Sequence, residues 1–486
     1  MVNKTAAIVG GGVIGGGWAA RFLLNGWDVR VSDPDPQAAR KISEVMANAR
    51  RSLPGLADVA MPTEGTLTYA TSIADAVAGV DWIQESVPER LDIKHKVLAE
   101  IQAHCTRGAV IGSSTSGFKP SELQQGAARP EQIIVCHPFN PVYLLPLIEV
   151  VGTDSPAAAT ADRAHLILTE LGMKPLKVRR EIDAHIADRF LEAVWREGLW
   201  LIKDGIATTT EIDDAIRFGF GIRWAQMGLF ETYRVAGGEA GMAHFIAQFG
   251  PCLSWPWTKL MDVPELTDDL VKQIADQSDA QSGMHSIREL ERIRDNNLVA
   301  MMRALKGQNW GAGALLNQHD TRLRTDVADI DFSQPVRTLD RVIPIDWTDY
   351  NGHMNEARYL EAFSKASDRF MEIVGCDAAY IASGGSYFTA ETHIRHIDEV
   401  HAGARVYVDS ICLDGSGKKM HVFNSLYHED GRLLATCEQM LLHVSLETRR
   451  ASPPSDDIAA KLTMIEQLHA KLPRPDGVGR AIGQGR

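Results

Sequence analysis

The segment Ala7-Ile8-Val9-Gly10-Gly11-Gly12-Val13-Ile14-Gly15 restricts this chain more than any other. Three glycines at G-x-G-x-x-G spacing directly follow an apolar, strand-like run and open a helix-like one, the context in which that spacing has a physical job. Gly10 permits a tight turn, Gly12 lets backbone approach a pyrophosphate, and Gly15 allows helix and strand to pack closely. The helix start at Val13 and Ile14 then offers unpaired N–H groups to an anion. The next strand-like run ends at Asp33, 18 residues beyond Gly15. A carboxylate there accepts from a ribose 2′-hydroxyl and repels a 2′-phosphate, so the pattern predicts a dinucleotide site selective for NAD over NADP.

A chain of 486 residues exceeds one compact core, and two or three domains are expected. Hydrophobic residues at 45% and charged residues at 23% are enough to bury such cores rather than leave the chain disordered. The net charge of -13 is spread without a basic run, which argues against nucleic acid as a partner. The cysteines stand far apart with no zinc-like spacing, which predicts reduced thiols and no metal centre. Met1 to Lys4 leads straight into the short apolar run 6–9, too brief for a signal-peptide core or a membrane span, which predicts a cytoplasmic protein with no membrane partner.

Short Val/Ile-rich runs at 6–9, 29–32, 82–84, 110–112 and 133–135 alternate with helical patterns such as 36–52 and 91–104. That alternation predicts an α/β Rossmann-type doubly wound sheet over 1–185. The strand signal then disappears, and 186–310 reads as an all-α domain. The Gly-, Asn- and Asp-bearing stretch 311–334 reads as a linker. Over 335–446 one helical run, 356–374, precedes strand-like segments near 387–397, 405–413, 421–428 and 433–444, which predicts an α+β domain. The polar, Pro- and Gly-bearing remainder, 447–486, reads as a poorly ordered tail.

Four further blocks carry chemistry: Asp81 to Glu89 with Lys94, Ser113-Ser114-Thr115-Ser116-Gly117, His137-Pro138-Phe139-Asn140-Pro141, and Glu149. With the glycine loop they resemble the 3-hydroxyacyl-CoA dehydrogenase superfamily over roughly 5–309. Oxidising an alcohol requires a base for the hydroxyl proton while hydride leaves, and histidine titrates in the right range, which selects His137. The resemblance implies that Glu149 orients the imidazole, that Ser116 contacts the substrate hydroxyl, and that Glu89 and Lys94 serve the cofactor. Asn140 is expected beside His137 as a donor or loop cap. In one place the chain departs from the family: where asparagine is usual in I-x-N-R, it reads Ile186-Ala187-Asp188-Arg189. An ionised Asp188 cannot donate as an amide does. Asp188 is either protonated in a closed site or supplies negative charge to a cationic substrate.

Phe190, Trp195, Trp200, Phe218, Phe220, Trp224, Phe230 and Tyr233 crowd the helical region. Aromatic faces enclose quaternary ammonium groups by cation–π attraction, although helix packing or a dimer interface uses the same residues. The stretch between Asp33 and Asp81 is short beside acyl-CoA members, which favours a small free acid. The chain resembles the λ-crystallin, L-gulonate dehydrogenase and L-carnitine dehydrogenase branch, and the implied substrate is L-carnitine, oxidised to 3-dehydrocarnitine. Arg189 and Arg223 are both candidates to pair its carboxylate.

Asp349, Gly352, His353, Asn355 and Tyr359 stand at the spacing D-x-x-G-H-x-N-x-x-x-Y. This resembles the 4-hydroxybenzoyl-CoA-type hot-dog thioesterases over about 335–446. The resemblance implies Asp349 as the catalytic carboxylate, with helix-start amides as donors to the oxyanion, while Asp349 and Asn355 as plain helix caps is the alternative. The implied second substrate is an acyl-CoA thioester, betainyl-CoA, and both halves suggest a homodimer. A different 3-hydroxy acid, L-gulonate or a short 3-hydroxyacyl thioester, with the hot-dog domain used for assembly, is the competing reading.

Overall fold

The computed structural model describes residues 4–153, 157–236, 241–249, 258, 265 and 267–482. The chain divides into two compact units, one formed by 1–50 with 62–319 and the other by 51–61 with 320–486.

The first unit is built on strands β1 (Thr5–Val9), β2 (Asp28–Ser32), β3 (Leu67–Tyr69), β4 (Trp82–Glu85), β5 (Val110–Ser113), β6 (Ile133–Pro138), β7 (Leu147–Val151) and β8 (Lys174–Val178). They form one sheet in the order β3-β2-β1-β4-β5-β6-β7-β8. Chain order reverses beside β1, which makes the β1/β4 edge the switch point where ligands of such sheets bind. All neighbours run parallel except β6 and β7. The sheet is therefore not wholly parallel, and its last two strands run against the other six. Ala7, Ile83, Ile111, Ile133 and Val135 are fully buried in its core, as expected of strands covered on both faces.

Helices Val13–Leu23, Ala38–Ser52, Leu91–His104 and Ala157–Glu170 cover this sheet. After β8 the chain is helical, with Ala187–Lys203, Thr209–Ala215, Gly221–Ala236, Asp268–Ser282 and Ile287–Lys306. The next helix, Ala312–Leu323, lies in the stretch read as a linker. Its few apolar residues still pack, and Leu316 is buried.

In the second unit, β9 (Val336–Val342), β10 (Gly385–His396), β11 (Arg405–Asp414), β12 (Lys419–His428), β13 (Leu433–Ser445) and β14 (Arg450–Ala451) form an antiparallel sheet. Its main path runs β10-β13-β12-β11-β9. The helix Glu356–Val374 buries Tyr359, Ala362, Phe363, Ala366 and Phe370 against that sheet. This curled sheet around one helix is the hot-dog arrangement. The segment 51–61 belongs to this unit, where Asp58 pairs with the buried Arg341 at 2.6 Å.

The tail is not uniformly loose. Residues Asp456–His469 form a helix that buries Ile458, Leu462 and Ile465 in the second unit's core. Its polar composition hid a one-sided apolar stripe spaced at four and three residues. The described cysteines are unpaired, and among the described residues no helix is long and apolar enough to cross a membrane.

Candidate active sites

Gly10 has φ +102°, and a Cβ there would lie 2.6 Å from the Ser86 carbonyl oxygen. A Cβ on Gly15 would lie 1.8 Å from the Gly10 carbonyl oxygen, so both positions require glycine. At Gly12 a Cβ would meet nothing within 4 Å. The backbone there borders open space at the start of Val13–Leu23, whose first-turn N–H groups have no intrahelical acceptor. Gly12 and Val13 are exposed and Ile14 is half-buried. Asp33 follows β2 directly. Its Oδ2 accepts from the Gly11 N–H and its Oδ1 from the Asp35 N–H at 2.7 Å, which fixes the carboxylate against the glycine loop. Open space at Gly12 beside a fixed carboxylate fits a dinucleotide, and the cofactor is NAD.

At the end of β4, Glu85 is fully buried. It accepts from Lys94 Nζ at 2.9 Å and from Ser113 Oγ at 2.5 Å. Lys94 is itself buried and lies 3.3 Å from Glu89. Its ammonium is thus held by protein carboxylates, and of the pair it is Glu89 that reaches the surface. Glu89 takes the Thr115 hydroxyl and the Gly117 N–H. Burial pushes its carboxyl up, but the Thr115 bond and Lys94 together outweigh this and leave it below the ordinary value. Glu85 carries no sequence motif of its own, and the lysine nine residues on is the one signal that could have marked it.

His137 lies within β6, not after it, and is the register partner of Glu149 on β7. Side chains directly opposite in an antiparallel pair meet on one face. His137 Nδ1 is 3.0 Å from Glu149 Oε2. The other carboxylate oxygen accepts from the N–H groups of Ile186 and Ala187, at 2.8 and 2.9 Å. One carboxylate therefore orients the imidazole and caps the helix Ala187–Lys203. Burial raises the Glu149 pKa, but the bond from His137 and the two backbone donors bring it below its ordinary value. An ionised Glu149 only accepts, so Nδ1 carries the proton and Nε2 is left bare.

Asp188 comes to that bare nitrogen, with Oδ2 at 3.6 Å from His137 Nε2. It stands in the first turn of Ala187–Lys203, where the helix dipole favours negative charge. Burial dominates and raises its pKa, opposed by His137. The structure thus unites His137, Glu149 and Asp188. Ser116 is exposed in the turn after β5, and its hydroxyl has no hydrogen bond among the described residues. Asn140 is also exposed, and it lines a small recess with Val13, Lys41 and Tyr143. The ring beside His137 is Phe139, edge-on at 4.8 Å. Of the crowded aromatics, Phe190, Trp195, Phe218 and Phe230 are more than half exposed. His185, which no motif pointed to, lies 5.6 Å from His137, ring to ring.

In the second unit, Asp349 Oδ1 accepts from the N–H groups of Asn351 and His353, at 2.8 and 3.3 Å. Gly352, at φ +80°, makes the turn possible. Asn355 caps Glu356–Val374 through the Ala357 N–H, whereas Asp349 closes the preceding turn. His353, Glu399 and His401 hold donor atoms within 4.8 Å of one another at that turn and could take a metal ion. Two of the three are exposed, and His353 Nε2 lies 3.5 Å from a Glu399 carboxylate oxygen.

Fold and sites together define an NAD-dependent dehydrogenase joined to a thioesterase-like unit. Residues 5–182 match the NAD-binding domain of 3-hydroxyacyl-CoA dehydrogenases and 185–274 their C-terminal domain, while 343–462 match the thioesterase-like superfamily. A Ruegeria pomeroyi protein named L-carnitine dehydrogenase/betainyl-CoA thioesterase is 69% identical, over 98% of this chain and 99% of its own. Its Agrobacterium fabrum counterpart is 54% identical over 98% and 97%. The chain belongs to this L-carnitine dehydrogenase/betainyl-CoA thioesterase family. A shorter L-carnitine dehydrogenase of Mesorhizobium japonicum is 61% identical over 66% of this chain and 90% of its own. Among solved structures, 5-formyl-3-hydroxy-2-methylpyridine 4-carboxylic acid 5-dehydrogenase, an NAD+-dependent dismutase, superposes at TM-score 0.55 with 26% identity, covering 63% of this chain and 99% of that one.

Proposed function

We propose that the chain oxidises L-carnitine to 3-dehydrocarnitine in its first unit and hydrolyses betainyl-CoA in its second. The observation that carries the first activity is the bare Nε2 of His137, held by Glu149 and faced by Asp188.

NAD+, when bound, accepts the hydride that leaves C3 of the substrate. His137 Nε2 takes the hydroxyl proton, and Glu149 stabilises the resulting imidazolium across Nδ1. Ser116 serves the substrate hydroxyl, while Glu89 and Lys94 hold the turn beside the cofactor. Asp188 supplies a negative charge next to the reacting alcohol, where the trimethylammonium of carnitine, one carbon away, must also lie. That assignment selects the cationic-substrate role for Asp188 over the protonated one. In the second unit Asp349 provides the carboxylate for thioester hydrolysis, and the N–H groups at the start of Glu356–Val374 receive the oxyanion.

The division of the first unit into an NAD-binding part, 1–185, and a helical part, 186–310, belongs to this reading. So do a cytoplasmic location and a homodimer, the latter supported by the exposed Phe190, Leu191, Trp195 and Phe230 on the helices after β8. The second activity is tested by release of free CoA from betainyl-CoA. Asp349→Asn should abolish that release and leave carnitine oxidation unchanged. Retained hydrolysis would remove Asp349 from the mechanism, and no hydrolysis by the unaltered protein would reduce the second unit to assembly.

A further inference from the structure

The dehydrogenase site contains one imidazole more than its dyad needs. His185 is fully buried, and its Nε2 lies 3.4 Å from the Thr115 carbonyl oxygen. A carbonyl only accepts, so that contact places the ring proton on Nε2 and leaves a lone pair on Nδ1. Among the described residues Nδ1 is buried without a hydrogen-bond partner. A buried acceptor left unmade beside a reaction centre is a site waiting for a donor.

The backbone is consistent with a functional placement. Ala184 and His185 have φ of 57° and 47°, two successive side-chain-bearing residues in the left-handed region. Such strain persists where the surroundings hold it and clusters at ligand sites. Here the next two N–H groups are bound by Glu149, and the Ala184 N–H donates to the Gly117 carbonyl at 3.4 Å. Burial, and then the nearby His137, hold the His185 pKa below its ordinary value against the opposite pull of Glu149 and Asp188, so the ring stays neutral.

On the reading of the first unit given above, two molecules besides water enter this site, and their donors can be counted. Carnitine has a single donor, its hydroxyl, whose proton goes to His137. Its carboxylate and quaternary ammonium have none. The reactive end of the cofactor carries a carboxamide with two N–H bonds. We infer that His185 is a positioning residue whose Nδ1 accepts a hydrogen bond from the nicotinamide carboxamide. It thereby sets the rotation of the ring that receives the hydride.

The test is binding to the full chain by calorimetry, using NAD+, 3-acetylpyridine adenine dinucleotide, which replaces the carboxamide by an acetyl group without N–H, and ADP-ribose, which lacks the ring. The unaltered protein should bind NAD+ about tenfold more tightly than the acetylpyridine analogue, the size expected of one buried hydrogen bond. His185→Phe should lose that preference with ADP-ribose affinity unchanged, and His185→Gln, which keeps a donor and an acceptor, should restore part of it. A preference that survives in His185→Phe overturns the inference. So does a variant in which the preference stays and the KM for carnitine alone rises, because Nδ1 then serves the substrate. Since the cofactor preference is read by binding without turnover, its loss or survival in His185→Phe is distinguishable from a failure of carnitine oxidation.

Discussion

His137 and Glu149 are direct partners across the one antiparallel step of an otherwise parallel neighbourhood, with Nδ1 3.0 Å from Oε2. Had β7 run parallel to β6, the two side chains would not share this register, and the carboxylate could not also reach the helix start at Ile186. His137→Ala should lower kcat by about 10²–10⁴-fold, the usual contribution of a positioned base. NADH affinity should stay unchanged, as fluorescence titration would show. Glu149→Gln should impair turnover and also destabilise the first unit by about 1–3 kcal/mol, because the N–H groups of Ile186 and Ala187 lose a charged acceptor. The Glu149 pKa is depressed in the folded state, so this contribution is present above its ordinary value of 4.5 and lost as pH falls through the lower folded value. Denaturant melts at pH 7 and at acid pH should therefore show the gap between variant and parent closing.

Asp33 is held by the Gly11 and Asp35 N–H groups at the end of β2, from where its carboxylate would accept from a ribose 2′-hydroxyl. Asp33→Ala should weaken NAD+ by about tenfold and shift the preference toward NADP+. Initial rates with each cofactor measure this. An unchanged preference would place the adenosine elsewhere.

Burial raises the Asp188 pKa, against the pull of His137. Asp188→Asn should raise the KM for carnitine by at least about tenfold, since a partly buried charge pair is worth roughly 4 kcal/mol before desolvation is subtracted. It should change 3-hydroxybutyrate, which has no cation, much less. The raised pKa has the opposite linkage to that of Glu149. The penalty exists above the folded pKa and vanishes below the ordinary aspartate value, so Asp188→Asn should be the more stable protein at neutral pH and equal to the parent in acid.

The C-terminal helix makes a separate prediction. His469 Nδ1 accepts from the Cys412 N–H at 2.8 Å, and its Nε2 donates to the Gln334 carbonyl at 3.1 Å. Burial lowers its pKa, against a smaller opposite effect of Gln334. The neutral ring is the folded form, so stability is complete above the ordinary histidine value of 6.5 and declines as pH falls below it. Unfolding of the second unit at pH 7.5 and 5.5 should show this loss, reduced in His469→Gln. Leu462→Ala should cost about 2–5 kcal/mol, as for any well-packed core leucine.

What the sequence made legible was local. The glycine loop, Asp33 and the helix Glu356–Val374 are set by short-range patterns of backbone sterics and apolar spacing. His137 was selected by chemistry, and Glu149 by resemblance alone. What could not be read depends on distant partners. The short β3 has little apolar signal, Glu85 is explained by Lys94 across a loop, and the lone pair of His185 exists because of where Thr115 puts its carbonyl. The helices at 312–323 and 456–469 were missed because polar composition was weighed above the spacing of a few apolar residues.

The measurement that bears most directly on the central claim is NADH formation from NAD+ and L-carnitine, with D-carnitine, L-gulonate and 3-hydroxybutyrate as comparators and His137→Ala as control. The account predicts turnover that is selective for L-carnitine and lower by about 10²–10⁴-fold in the variant. Clear oxidation of another acid with none of L-carnitine would contradict the substrate, and undiminished turnover in His137→Ala would contradict the mechanism.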